Sequence, residues 1–130
     1  MAVAEDFLPY YDIKQGLTRL GNNKMLYRML LPKLIPNLLT EYNKFLVEYE
    51  AGNYVQAETI IHTVKGTSGN LSVNDVHFRL ADLDVKLKYL KDPTLGPAPS
   101  KEEVQPLIDA LLVSINKSVE VYPEVLTFLA

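Results

Sequence analysis

The stretch Ile60-Ile61-His62-Thr63-Val64-Lys65-Gly66-Thr67-Ser68-Gly69-Asn70-Leu71 holds the residues best suited to chemistry. On an ideal helical wheel of about 100° per residue, Ala57, Ile60, Ile61, Val64, Ser68 and Leu71 gather on the side away from His62. Glu58, Lys65, Gly66 and Gly69 gather around His62 itself. The aliphatic face is the one a core would bury, which puts the imidazole at the centre of the solvent side. A histidine in an apolar-rich helix is usually a hydrogen-bonded core residue, but here the core side is already filled. Each glycine inside a helix costs about 1 kcal/mol relative to alanine. Two of them beside one exposed histidine make sense if another protein must lie flat against the helix.

Imidazole changes charge near neutral pH, so a fraction of any exposed ring is an unprotonated nucleophile. Lys65, one turn further along, is spaced to stabilise the oxygens of a phosphoryl group arriving on the ring nitrogen. Phosphoryl transfer needs mostly positioning and charge neutralisation, so a helix carrying His62 and Lys65 suffices when a partner supplies the metal. Other chemistries lack their residues. The chain has no Cys, hence no disulfide, thiol nucleophile or thiolate metal site. No Gly-rich phosphate loop is present, so ATP binding by that route is not expected. His77 has no Cys, His or Glu at ligand spacing and reads as a surface or packing residue. Glu48, Glu50, Asp82 and Asp84 read as solvated charges, and no metal site is expected.

The elements that position this helix follow from hydrophobic spacing, which is helical nearly everywhere. Ile13, Leu17 and Leu20 define a short first helix with Asp12 as N-cap and Gly21 as its stop. A longer helix starts near Asn22 or Asn23 and runs to about Ala51. Pro32 and Pro36 should kink or break it, with Leu34, Leu38, Tyr42, Phe45 and Tyr49 buried beyond the break. The histidine helix spans about Tyr54 to Leu71. The next, roughly Asn74 to Lys91, has a core stripe of Val76, Leu80, Leu83, Leu87 and Leu90. Its second apolar stripe, Phe78, Val85 and Tyr89, is expected to pack under Phe7, Leu8, Tyr10 and Tyr11 of the N-terminal arm, in preference to the alternative of contacting a partner. A Pro-rich loop from Asp92 to Pro99 leads to a capping box, Ser100 with Glu103, and a last helix. That helix has the stripe Val104, Ile108, Leu111, Ile115, Val119 and Tyr122, and Pro106 and Pro123 should bend or end it. The expected fold is all-α: an up-down four-helix bundle with a short extra N-terminal helix, residues 12–130, after an arm of residues 1–11.

The pattern His62-x-x-Lys65-Gly66-x-Ser68-Gly69-Asn70-Leu71 resembles the signature of histidine-containing phosphotransfer (HPt) domains of two-component phosphorelays. The resemblance extends to Gly16-Leu17-x-x-Leu20-Gly21-Asn22, Leu26-Tyr27, Leu30 and Ala51-Gly52-Asn53, and covers about residues 12 to 91. Ile61 stands where a small residue often precedes the histidine, and Ser72-Val73 where Gly-Ala often follows. The resemblance implies that His62 accepts a phosphoryl group, that Lys65 assists it, and that Gly66 and Gly69 give a receiver domain access. Glu58, Thr59 and Asn70 join the partner-facing set. It implies a phosphohistidine carrier rather than an autonomous kinase, with no cofactor of its own and Mg²⁺ supplied by the receiver. Its implied partners are response-regulator receiver domains and a sensor histidine kinase.

Bulk properties bound the rest. The chain has 130 residues, 48% of them hydrophobic, enough for one domain with a real core. Thirteen Lys and Arg against 16 Asp and Glu give a net charge of −3 with no basic run, which argues against nucleic acid. No uncharged apolar run approaches the roughly 18 residues of a membrane span. The expectation is a cytoplasmic monomer without membrane contact. A non-catalytic helical adaptor, binding receiver or kinase domains without carrying phosphate, is the rival reading.

Overall fold

A computed structural model describes residues 2–130. Six α-helices follow one another: α1 (Ile13–Arg19), α2 (Lys24–Leu34), α3 (Leu38–Glu50), α4 (Tyr54–Asn70), α5 (Asn74–Lys91) and α6 (Lys101–Leu129). Short 3₁₀ turns cover Ala4–Phe7, Ile35–Asn37 and Pro93–Leu95, and there is no strand among the described residues. No helix is long and apolar enough to cross a membrane, among the described residues.

The local signals act as expected at most boundaries. Asp12 caps α1 by accepting from the Gln15 amide, and Asn23 caps α2 by accepting from that of Leu26. Gly21 and Asn22, at φ 64° and 62°, turn the chain between them. Pro36 has no amide hydrogen to continue the helix, so α2 and α3 are separated by one 3₁₀ turn. The Asn37 side-chain amide donates to the Lys33 carbonyl at 2.8 Å, satisfying an acceptor the break leaves free. The capping box of Ser100 and Glu103 opens α6.

Helix α4 lies between α3 and α5, and α5 packs on α6. Ile61 and Val64 of α4 meet Leu38, Tyr42 and Phe45 of α3, Val76, Leu80, Leu83 and Leu87 of α5, and Leu111 and Ile115 of α6 in one core. Three expectations need correction. Pro106 and Pro123 do not end α6, which runs unbroken for 29 residues. Both prolines are exposed, as are Glu102 and Val119, whose carbonyls they leave unbonded, so water can take the place of the lost amides. The α6 stripe passes through Ser118 rather than Val119: Val104, Ile108, Leu111, Ile115, Ser118, Val125 and Leu129 are buried, and Val119 is exposed. That is a 3.5-residue repeat, which drifts away from an ideal 3.6 wheel along so long a helix.

The third correction concerns the arm. It packs on α6, not α5. Phe7 meets Phe128 edge-on at 5.5 Å, and the buried Tyr11 hydroxyl donates to the Ser118 carbonyl at 2.6 Å. Phe78, Val85 and Tyr89 are left on the surface.

Candidate functional site

Helix α4 presents His62 to solvent, with its side chain 62% exposed. Beneath it lie two carboxylates. Asp84 of α5 is 3.5 Å from the ring (Oδ2 to Nδ1), and Glu58, one turn earlier on α4, is 3.8 Å away (Oε2 to Nδ1). Both acids are buried, their side chains only 1% and 7% exposed. Three lysines reach them. Lys65 and Lys88 lie 2.6 and 3.2 Å from Asp84 Oδ2, and Lys91 lies 2.5 Å from Glu58 Oε1. Burial alone would raise the Asp84 pKa. The hydrogen bonds with Glu58, Lys65 and Lys88 and the charge of Lys65 outweigh it and hold the carboxyl well below the usual carboxylate range.

The site therefore differs from the wheel in its acids. Asp84 is not a solvated charge, and Glu58 is not part of the open partner-facing surface. Both sit under the histidine, and Lys65 is fixed to Asp84 rather than standing free. A signal for Asp84 was present: Leu80 and Leu87, four residues before and three after, are core leucines, so a residue between them borders the core. Lys88 and Lys91 were missed for the same reason, because their role depends on the buried acids.

The glycines separate. Gly66 is exposed, and a Cβ built there meets nothing within 4 Å, so the backbone beside His62 is left bare without any internal need. A Cβ at Gly69 would lie 2.9 Å from Cε1 of His77. Gly69 thus makes room for a neighbour in the same chain. The half-buried His77 donates from Nδ1 to the Lys65 carbonyl at 2.9 Å, a packing role. Thr59 and Asn70 are exposed on α4. On the other flank of α4 from Asp84, Thr63, Thr67 and Asn70 border a groove of about 520 Å³ floored by Leu30, Leu34 and Leu38.

Chemically, the corner offers an exposed imidazole backed by two buried carboxyl groups and three lysines. One ring nitrogen faces the carboxylates, and the other is free for a reagent. Comparison with protein families, curated proteins and solved structures finds no match for this chain.

Proposed function

We propose that this chain is a histidine phosphotransfer protein of a two-component phosphorelay, relaying a phosphoryl group between receiver aspartates through His62. In this reading α2–α3, α4, α5 and α6 are the four members of an up-down bundle that holds α4 still. One observation carries it: an exposed imidazole has Nδ1 toward two buried carboxylates, with a lysine and a bare glycine on the same face.

A proton on Nδ1, facing Asp84 and Glu58, leaves the lone pair on Nε2. That pair attacks the phosphorus of a receiver's aspartyl phosphate. The P–N bond forms as the P–O bond breaks, and the leaving electron pair stays on the receiver carboxylate. The ring then carries positive charge, which the two buried acids offset. Lys65 and Lys88 bring two ammonium groups to the same corner for the phosphoryl oxygens. Transfer to a second receiver reverses the step, and each receiver supplies its own Mg²⁺. Gly66, Thr59 and Asn70 belong to the surface on which a cytoplasmic receiver or sensor kinase would rest.

The test is transfer from radiolabelled phospho-receivers to the wild type and to His62→Gln. Label confined to the wild type, lost in acid and stable in alkali, supports the carrier. Receivers that bind equally to both proteins and label neither would replace it with the adaptor.

A further inference from the structure

We infer that the outer face of α2 and the start of α3 is a docking surface for an amphipathic, acidic helix of a partner protein. The inference does not rest on the phosphotransfer reading, because this surface shares no residue with the His62 corner.

An apolar stripe runs along the face. Met25, Met29, Pro32, Pro36 and Leu39 recur at intervals of four, three, four and three residues, and all five are exposed. Met25 is 71% exposed and Met29 56%. The backbone keeps right-handed helical dihedrals at Leu34, Ile35, Asn37 and Leu38, so the face continues through the 3₁₀ turn between the two helices. From Met25 to Leu39 it is about 21 Å long. The residues that α2 turns to the core, Tyr27, Leu31 and Leu34, lie on its opposite side. Single exposed apolar residues are ordinary, but here five stand in one register. Their average repeat of about 3.5 residues is the one that a second helix follows when it packs along a first.

Charge identifies the occupant. Residues 13–40 contain five Lys and Arg and no Asp or Glu, so a chain of net charge −3 carries +5 here and −8 elsewhere. Arg28 and Lys33 flank the stripe, and neither is in an ion pair among the described residues. Two such cations beside an apolar seam select carboxylates on the edges of the incoming helix. A second copy of the chain is disfavoured, since this face against itself sets cation against cation. A membrane is disfavoured too: the stripe has two prolines and no aromatic residue, where an interfacial helix presents Trp, Phe or Leu. Met25 and Met29 are the only methionines after Met1. Their unbranched thioether side chains adapt to an apolar partner surface. Lys33 also rims the groove beside Thr63 and Thr67, so a helix seated here holds its protein alongside the histidine helix.

The experiment is fluorescence anisotropy with labelled three-heptad peptides that carry leucine at positions a and d and either glutamate or lysine at e and g. We expect the glutamate peptide to bind at least about tenfold more tightly than the lysine peptide, and to weaken as salt rises. Met25→Gln combined with Met29→Gln, which keeps side-chain length and helix propensity, should weaken it at least about tenfold. Arg28→Glu combined with Lys33→Glu should reverse the preference between the peptides. Val113→Gln, on α6 and 70% exposed, should change nothing, and neither should His62→Gln. Amide NMR shifts on adding the glutamate peptide should centre on residues 24–40. Equal affinity for the two peptides, binding that survives the methionine variant, shifts centred on α6, or no binding at all overturns the surface. Retention on phosphatidylserine vesicles without peptide binding would replace the partner helix with a membrane. Self-association that the methionine variant abolishes would replace it with a second copy.

Discussion

Gly69 and His77 are matched across the α4–α5 contact: a Cβ at position 69 would lie 2.9 and 3.0 Å from Cε1 and Nδ1 of the ring. The ring cannot simply retreat, because its Nδ1 is bonded to the Lys65 carbonyl. Gly69→Ala gains up to about 1 kcal/mol of helix propensity but forces this contact, at about 1–3 kcal/mol. It should destabilise the protein, and His77→Ala in the same chain should relieve the clash. Gly66→Ala meets nothing and should stabilise by up to about 1 kcal/mol. Denaturant unfolding of the four proteins checks this. Equal shifts for the two glycine variants would refute the match.

Asp84 makes stability fall in acid. Its folded pKa lies below the unfolded value of about 3.9, because its bonds to Glu58, Lys65 and Lys88 outweigh the opposing effect of burial. The stabilisation is complete above about pH 4 and is lost as pH falls through the folded pKa. Wild-type stability should drop steeply from about pH 4 downward, and Asp84→Asn should show a shallower drop from a lower plateau. The plateau should sit about 2–4 kcal/mol lower, since removing one partner leaves ammonium groups poorly paired. Urea unfolding between pH 2 and 7 reads both. An unchanged acid slope would mean that Asp84 is not ionised in the folded chain.

Helix boundaries were legible because they rest on local residues. Asp12, Asn23, Gly21, Pro36 and Ser100 each act within one turn. The exposure of His62 was legible because α4 is short enough for an ideal wheel to hold. Elsewhere the answer depended on a second helix. Nothing near Asp84 in the chain reveals that α4 will lie over it, and Gly69 reads as docking space until His77 arrives from α5. Along the 29 residues of α6 the wheel itself drifts, so one turn was assigned one residue out, at Val119 instead of Ser118. The exposed prolines of α6 show that a proline inside a helix need not end it.

Two buried phenols should limit stability at high pH. Tyr11 is raised above the ordinary tyrosine range first by burial, then by the nearby Tyr122 and Tyr27. Tyr27 is raised by burial and by the charge of Asp12. A phenol whose folded pKa exceeds its unfolded value of about 10 contributes fully below that pH and loses the contribution as pH rises toward the folded value. Stability should therefore decline above about pH 10. Absorbance at the phenolate band should show these two rings ionising only on unfolding, and Tyr11→Phe should soften the decline.

Tyr27 ties the end of the histidine helix to the N-terminal elements. Its hydroxyl donates to the Leu71 carbonyl at 2.6 Å, just beyond the last residue of α4. Beside it the chain turns at Ser72, φ 54°, whose carbonyl accepts from the Asp12 amide at 2.9 Å. Gly16 is what lets the phenol in: a Cβ there would sit 2.5 Å from the hydroxyl oxygen and 2.7 Å from Cζ. Tyr27→Phe removes the donor from a buried carbonyl and should cost about 1–3 kcal/mol. Gly16→Ala should cost a similar amount, because the ring is fully buried and held by its bond. The two act on one contact, so the double variant should lose less than the sum by at least about 0.5 kcal/mol. Hydrogen exchange should localise the damage to the Leu71–Val73 amides, with the middle of α4 still protected. Additive losses, or exchange spread evenly along α4, would mean that the tyrosine does not anchor that helix end.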